Sequence, residues 1–287
     1  MMIGGRLASL FNIWLCLFLC VILLVACNKI EGFSLMFKDN SPEYFFEGKY
    51  LDMAQAILLE DIEALQKNSL GEDLNHKGRN GMNLMWFAIL NEKFSMVKAL
   101  VELGVNPDLQ VNGEADSALN FSFGSNDLRF LKAILDGGFD PNYYYRPGND
   151  PLMLQRAVGG SLDHVKLLLL YGTRLDDRDT LGRTALEEAI QWRKPKIAAY
   201  LVEEGADFNT RDVNGIYLSW RVKSMIDKGF PGDYLHEEFE KLRDLLISKG
   251  MQWPPCSPES VREKMRERGE PIGMPQNNTP SNPWPPQ

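Results

Sequence analysis

The sequence predicts an all-α fold, a solenoid of about six helix-turn-helix units joined by short loop fingers. The first observation is a recurrence of glycine, at Gly71, Gly104, Gly138, Gly172, Gly205 and Gly250, with separations of 33, 34, 34, 33 and 45 residues. The second is the apolar pattern before the middle four, with side chains seven, four and three residues ahead of the glycine: Val97/Leu100/Val101, Leu131/Ile134/Leu135, Val165/Leu168/Leu169 and Ala198/Leu201/Val202. That spacing makes one stripe along a helix, and a glycine just beyond accepts the left-handed turn that ends it. A single unit cannot bury such a stripe alone, so a regular repeat of it implies stacking.

Taken in order, the unit at Tyr50–Leu70 lacks an opening motif and its Ile62/Leu65 stripe is displaced, as expected of a terminal cap. The following units open at Gly81-Met82-Asn83-Leu84 and Gly182-Arg183-Thr184-Ala185, with Asn83, Ser117 and Thr184 as helix N-caps. The unit around Pro151-Leu152 is one residue out of register. The last unit runs 35 residues from Gly215 to Gly250, against 23 for Gly81–Gly104, so it carries an insertion of 12 residues within Lys223–Glu238. Ser257-Pro258-Glu259-Ser260 caps a short charged helix reaching about Arg268. The Pro-rich stretch from Pro271 to Gln287 has no periodicity and is expected to be disordered.

Each glycine is followed by a polar run, as in Gly138-Phe139-Asp140-Pro141-Asn142 and Gly205-Ala206-Asp207-Phe208-Asn209. A period of 33, a G-A-D-x-N close and the G-x-T-x-L opening at Gly182 resemble the ankyrin repeat. The resemblance spans residues 45–252 and implies a protein-binding stack whose fingers and first helices meet partners. The family's opening, G-x-T-P-L-H-x-A, carries a His that ties neighbouring loops. Trp86, Asn120 and Glu187 stand at that place here, a departure from the residue on which the family's inter-repeat chain rests.

The N-terminus reads as an address. Residues 1–26 hold one charged residue, Arg6, and fourteen unbroken apolar residues from Ile13 to Ala26. Leu24-Val25-Ala26-Cys27 resembles the bacterial lipobox, which implies cleavage between Ala26 and Cys27, lipid on Cys27, and a tether over residues 27–44. Asn28 after the cysteine points to the periplasmic face of the outer membrane in an enteric-like host. An uncleaved anchor from Leu7 to Ala26 is the competing reading, since 20 residues nearly span a bilayer of ~30 Å.

The net charge is −8 and becomes −9 once Arg6 is cleaved away, which excludes a sequence-independent hold on nucleic acid. Of four cysteines, Cys16 and Cys20 leave with the signal and Cys27 is acylated, so Cys256 remains as a lone thiol, open to an intermolecular disulfide or inert. His76, His164 and His236 fall in different units, and no zinc-ligand spacing occurs. Gly159-Gly160-Ser161-Leu162-Asp163-His164 imitates a hydrolase motif but reads as a turn with Ser161 or Asp163 as helix N-cap. No enzyme, cofactor or small-molecule substrate is expected.

What remains is a surface. The fingers are 76–80, 110–112, 143–147, 177–179 and 210–212, and four of the five carry an arginine: Arg79, Arg146, Arg178 and Arg211. The central finger holds three tyrosines, Tyr143, Tyr144 and Tyr145, and Tyr and Arg are the types enriched among binding hot spots. The same arginines could instead pair with Asp177, Asp179 and Asp212. Trp86 and Phe121 are the expected contacts on the first helices. The partner is expected to be a protein, by resemblance to periplasmic immunity lipoproteins a toxin such as a type VI secretion phospholipase. A resident envelope protein bound by a scaffold is the alternative.

Overall fold

A computed structural model describes residues 41–110, 117–143 and 153–273. Among the described residues there are 14 α-helices, one 3-10 turn and no β-strand. The chain forms two compact units that meet in sequence between Ala118 and Leu119.

In the first unit, α1 (Pro42–Phe45), α2 (Gly48–Leu59) and α3 (Ile62–Ser69) precede a 3-10 turn at Arg79–Gly81, and α4 (Leu84–Leu90) and α5 (Phe94–Glu102) follow. Phe45 and Phe46 set their rings 6.3 and 5.6 Å from that of Phe87, so the C-terminal end of α1 packs against α4. The Asp61 carboxylate accepts from Ala64 N at 2.9 Å, and the Asn83 side chain from Trp86 N at 2.8 Å, which caps α3 and α4.

The second unit repeats one plan. First helices of seven residues, α6 (Ala118–Gly124), α8 (Met153–Gly159) and α10 (Ala185–Gln191), alternate with second helices α7 (Arg129–Asp136), α9 (Leu162–Leu170) and α11 (Pro195–Glu203). The residues seven and four before each repeat glycine, from Val97/Leu100 to Ala198/Leu201, are 0% exposed in all four helices. The third position is less uniform, with Val101 and Leu169 half-buried. Each fully buried Leu or Val contributes ~1.5–3 kcal/mol, so this two-residue seam is a recurring source of stacking energy. Gly104, Gly138, Gly172 and Gly205 have φ of 93°, 88°, 85° and 98°, the left-handed region in which any side chain would be strained.

The last pair is longer, α12 (Leu218–Lys228) with 11 residues and α13 (Tyr234–Ser248) with 15. The extra residues of this repeat extend both helices across positions 223–238, where a separate loop would also have fitted the spacing. Helix α14 (Pro258–Glu267) opens on Ser257, whose hydroxyl accepts from Ser260 N at 3.2 Å.

The polar run after each glycine is a device that sets the fingers. Asp73, Asp140 and Asp207 accept from the N–H two residues on, at Asn75, Asn142 and Asn209, which fixes a local turn. The side chain at the last position then reaches into the next repeat. Asn75 accepts from Asn106 N at 3.0 Å, Asn142 from Arg174 N at 2.9 Å and Asp176 from Asp207 N at 2.8 Å, over 31, 32 and 31 residues. Spacing between adjacent loops is thereby set by hydrogen bonds as well as by the apolar seam.

Candidate protein-binding fingers

In the first unit, the finger at 76–80 is held by aromatic contacts. His76 stacks on Tyr50 with centroids 4.2 Å apart, and the Tyr50 hydroxyl donates to Asp73 O at 3.1 Å. Burial, then the charges of Glu72 and Asp73, raise the Tyr50 hydroxyl above its ordinary range. The Arg79 guanidinium lies 5.1 Å from the Tyr44 ring centroid and remains exposed. Tyr44, Tyr50, His76 and Arg79 line one shallow cleft. Sequence reading missed Tyr44 and Tyr50, because both precede the repeat motif that marks the finger.

In the second unit, Tyr143 sets its ring 4.9 Å from Phe139 and donates its N–H to Asp140 O at 3.0 Å, so it packs on its own loop. Tyr144, Tyr145 and Arg146 lie outside the described residues, as do Ala26, Cys27 and the whole N-terminal signal. Arg178 is exposed and donates from Nη1 to Arg211 O at 3.4 Å. Arg211 is half-buried and pairs through Nη2 with Glu270 at 2.5 Å.

The finger aspartates are taken by other arginines than those of the fingers. Arg174 holds Asp177, Arg183 holds Asp179 at 2.8 Å, and Arg221 holds Asp212 at 2.5 Å. The acidic residues are thus spent inside the repeats, and Arg178 pairs with none of these three carboxylates.

Two aromatic expectations change. Trp86 is 1% exposed and belongs to the core of the first unit, so it offers no contact to a partner. Its position three residues after the Asn83 cap points it inward with Met85 and Phe87, and a bulky apolar side chain gains most there. Phe121 is half-buried, edge-on to Phe130 with centroids 5.2 Å apart, and exposes only part of its ring.

Glu187 stands where the family has its inter-loop histidine, and it is 1% exposed. Its Oε1 accepts from the Thr210 hydroxyl in the next finger at 2.8 Å, while Oε2 is buried without a hydrogen-bond partner. Burial pushes its carboxyl up to about 7, against the opposing pull of the Thr210 hydroxyl and of Arg221. The inter-loop tie therefore survives with a different residue type, which a match to the family's histidine overlooks.

The hydrolase-like stretch resolves into capping. The Ser161 hydroxyl lies 2.8 Å from His164 Nδ1 and accepts from His164 N, so Ser161 is the N-cap of α9. His164 Nε2 faces Ser122 O at 3.1 Å, which places a backbone carbonyl where a triad carboxylate would orient the ring. Among the described residues, no group of three His, Cys, Asp or Glu is placed to hold a metal ion, and no helix is long and apolar enough to cross a membrane. Cys256 is an exposed free thiol.

Paired helices, left-handed glycines and side-chain-tied fingers define an ankyrin-repeat stack. Residues 119–212 match the family model for ankyrin repeats in three copies. The chain is 31% identical over 107 residues to a putative ankyrin repeat protein of fowlpox virus, covering 36% of this chain and 23% of that protein. It is 26% identical over 175 residues to protein PhlB of Serratia liquefaciens, covering 58% of this chain and 75% of that one. Among solved structures, an ankyrin repeat domain from Acinetobacter baumannii superposes with a TM-score of 0.50 at 22% identity, over 70% of this chain and 98% of that domain. The viral ankyrin proteins it matches are much longer; the chain spans 7–24% of their lengths. The match places three ankyrin repeats in the middle of the chain, within its second unit.

Proposed function

We propose that this chain is a non-enzymatic binding module whose fingers grip a protein partner from a lipid anchor on Cys27, at the periplasmic face of a bacterial outer membrane. One observation carries the binding role: the repeat aspartates are consumed by internal arginines, while Arg178 and Arg79 stay exposed on the fingers. Arginine presented from a rigid loop is a directed donor to carboxylates and carbonyls at little entropic cost. The lipobox-like Leu24–Cys27 and the following Asn28 support the anchor. Within this class the reading is an immunity protein that captures a periplasm-targeted toxin, such as a type VI secretion phospholipase. An anchored scaffold that offers a binding edge suits interception.

The test is capture from native envelopes, with wild type and a variant in which Tyr143, Tyr144, Tyr145 and Arg146 are all alanine. A toxin encoded beside the gene is the expected partner, and the variant should lose at least about tenfold in affinity if one hot spot lies among the four. Deletion of the gene should sensitise cells to that toxin; unchanged resistance to every neighbouring competitor would sink the immunity reading. Cys27→Ser should move the protein from the membrane to the soluble fraction, and protein that still sediments with membrane would favour the uncleaved anchor.

A further inference from the structure

Residues 257–273 lie along the last finger of the second unit. Helix α14 buries Val261 and Met265, and it runs so near Gly215 that a Cβ there would meet Met265 Sδ at 3.0 Å. Gly273 N donates to Val213 O at 2.8 Å, and Arg262 Nη1 to Asn214 O at 3.5 Å. On this platform Arg211 donates from Nη1 to Met265 Sδ and from Nη2 to Glu270 Oε2, while Arg268 holds the other Glu270 oxygen at 2.7 Å. Arg178 leans on the backbone of Arg211, and both line one cleft with Asn209, Gly182 and Tyr217.

We propose that residues 257–273 are an internal competitor for an acidic segment of the protein partner: Glu270 occupies on Arg211 the place that a partner carboxylate takes, beside the open Arg178. The inference rests on the reading of the fingers as a protein-binding edge. A guanidinium pairs a carboxylate through a planar fork, so Glu270 marks the ligand chemistry that this edge accepts. With both side chains about a third open to water, this ion pair is weak enough to be exchanged. A segment with two acidic residues engages Arg178 as well as Arg211, and so gains a contact that Glu270 alone leaves unused. The arginines here, Arg178, Arg211, Arg262 and Arg268, are interleaved with Asp179, Asp212 and Glu270 in a chain of net charge −8, which denies this edge the extended positive field that a nucleic acid or an anionic membrane requires.

The experiment measures fluorescence polarisation of a labelled hexaglutamate peptide on the full chain at low salt. Glu270→Ala should bind the peptide about fivefold tighter than the parent, the factor that a water-accessible ion pair of ~1 kcal/mol represents. Adding Arg211→Ala should abolish that gain, and Arg178→Ala alone should weaken binding. An unchanged affinity in Glu270→Ala, or a gain that survives Arg211→Ala, overturns the proposal. A gain for phosphatidylglycerol vesicles without one for the peptide also overturns it. Should Glu270→Ala lose its helical circular dichroism, Glu270→Gln, of nearly the same size, takes its place with the same expected gain. Partner capture is scored separately. A failed peptide gain with capture intact removes the competitor alone, and failed capture with the gain intact removes the proposed function alone.

Discussion

The Thr210 hydroxyl donates to Glu187 Oε1 at 2.8 Å across 23 residues, joining the first helix of one repeat to the finger of the next inside a site that is closed to water. A carboxyl in that position is held in its neutral form by burial, with a pKa of about 7 against the ordinary 4.5. Since the folded value is raised, its contribution to stability is complete below about pH 4.5, declines as pH rises through 7 and is lost above it.

Glu187→Gln removes that pH dependence while keeping an acceptor for Thr210. The variant should match the parent at pH 4 and exceed it at pH 8, by at most about 3 kcal/mol. Urea unfolding at the two pH values checks this; equal stabilities at pH 8 would show that the parent carboxyl ionises at no cost.

Lys194 Nζ donates to three carbonyls at the end of α8, Val158 O at 2.7 Å and Gly159 O and Gly160 O at 2.9 Å each, from the repeat that follows. A cation at a helix C-terminus satisfies acceptors that have no partner within the helix. Lys194→Met, which keeps the stem and removes the donor, should cost about 2 kcal/mol, read from the urea midpoint.

Gly78 is a packing constraint with ordinary φ. A Cβ there would sit 2.3 Å from Phe45 O and about 3 Å from the Phe46 ring, and a backbone carbonyl cannot step aside as a side chain can. Gly78→Ala should destabilise the first unit by about 2 kcal/mol or more, measured by thermal unfolding.

The ladder of Asn75, Asn142 and Asp176 should behave additively where its rungs are far apart. Each change to alanine is expected to cost about 1 kcal/mol, and Asn75→Ala with Asn142→Ala the sum of the two. A larger loss in the double variant, measured by urea unfolding, would mean that the rungs act together.

Much of this was written in short-range signals. The apolar stripe and the caps at Asn83, Thr184 and Ser161 act within about eight residues, and the glycine that ends each stripe recurs every 33 or 34, so a linear reading finds them. The finger arginines were legible as a group for the same reason. Their standing as free or engaged was not, because Asp212 answers to Arg221, nine residues away, and Arg211 to Glu270, 59 residues away.

By itself, then, the sequence determined the repeat, its helical class and where the fingers fall, since periodicity and left-handed glycines are local properties of the chain. Tertiary structure alone decided that Trp86 is core, that Glu187 replaces a histidine as the tie between loops, and that α14 lies along the last finger. Those outcomes depend on which groups share a buried volume. Burial energy and the neutralisation of a buried carboxyl arise only once residues distant in sequence exclude water together.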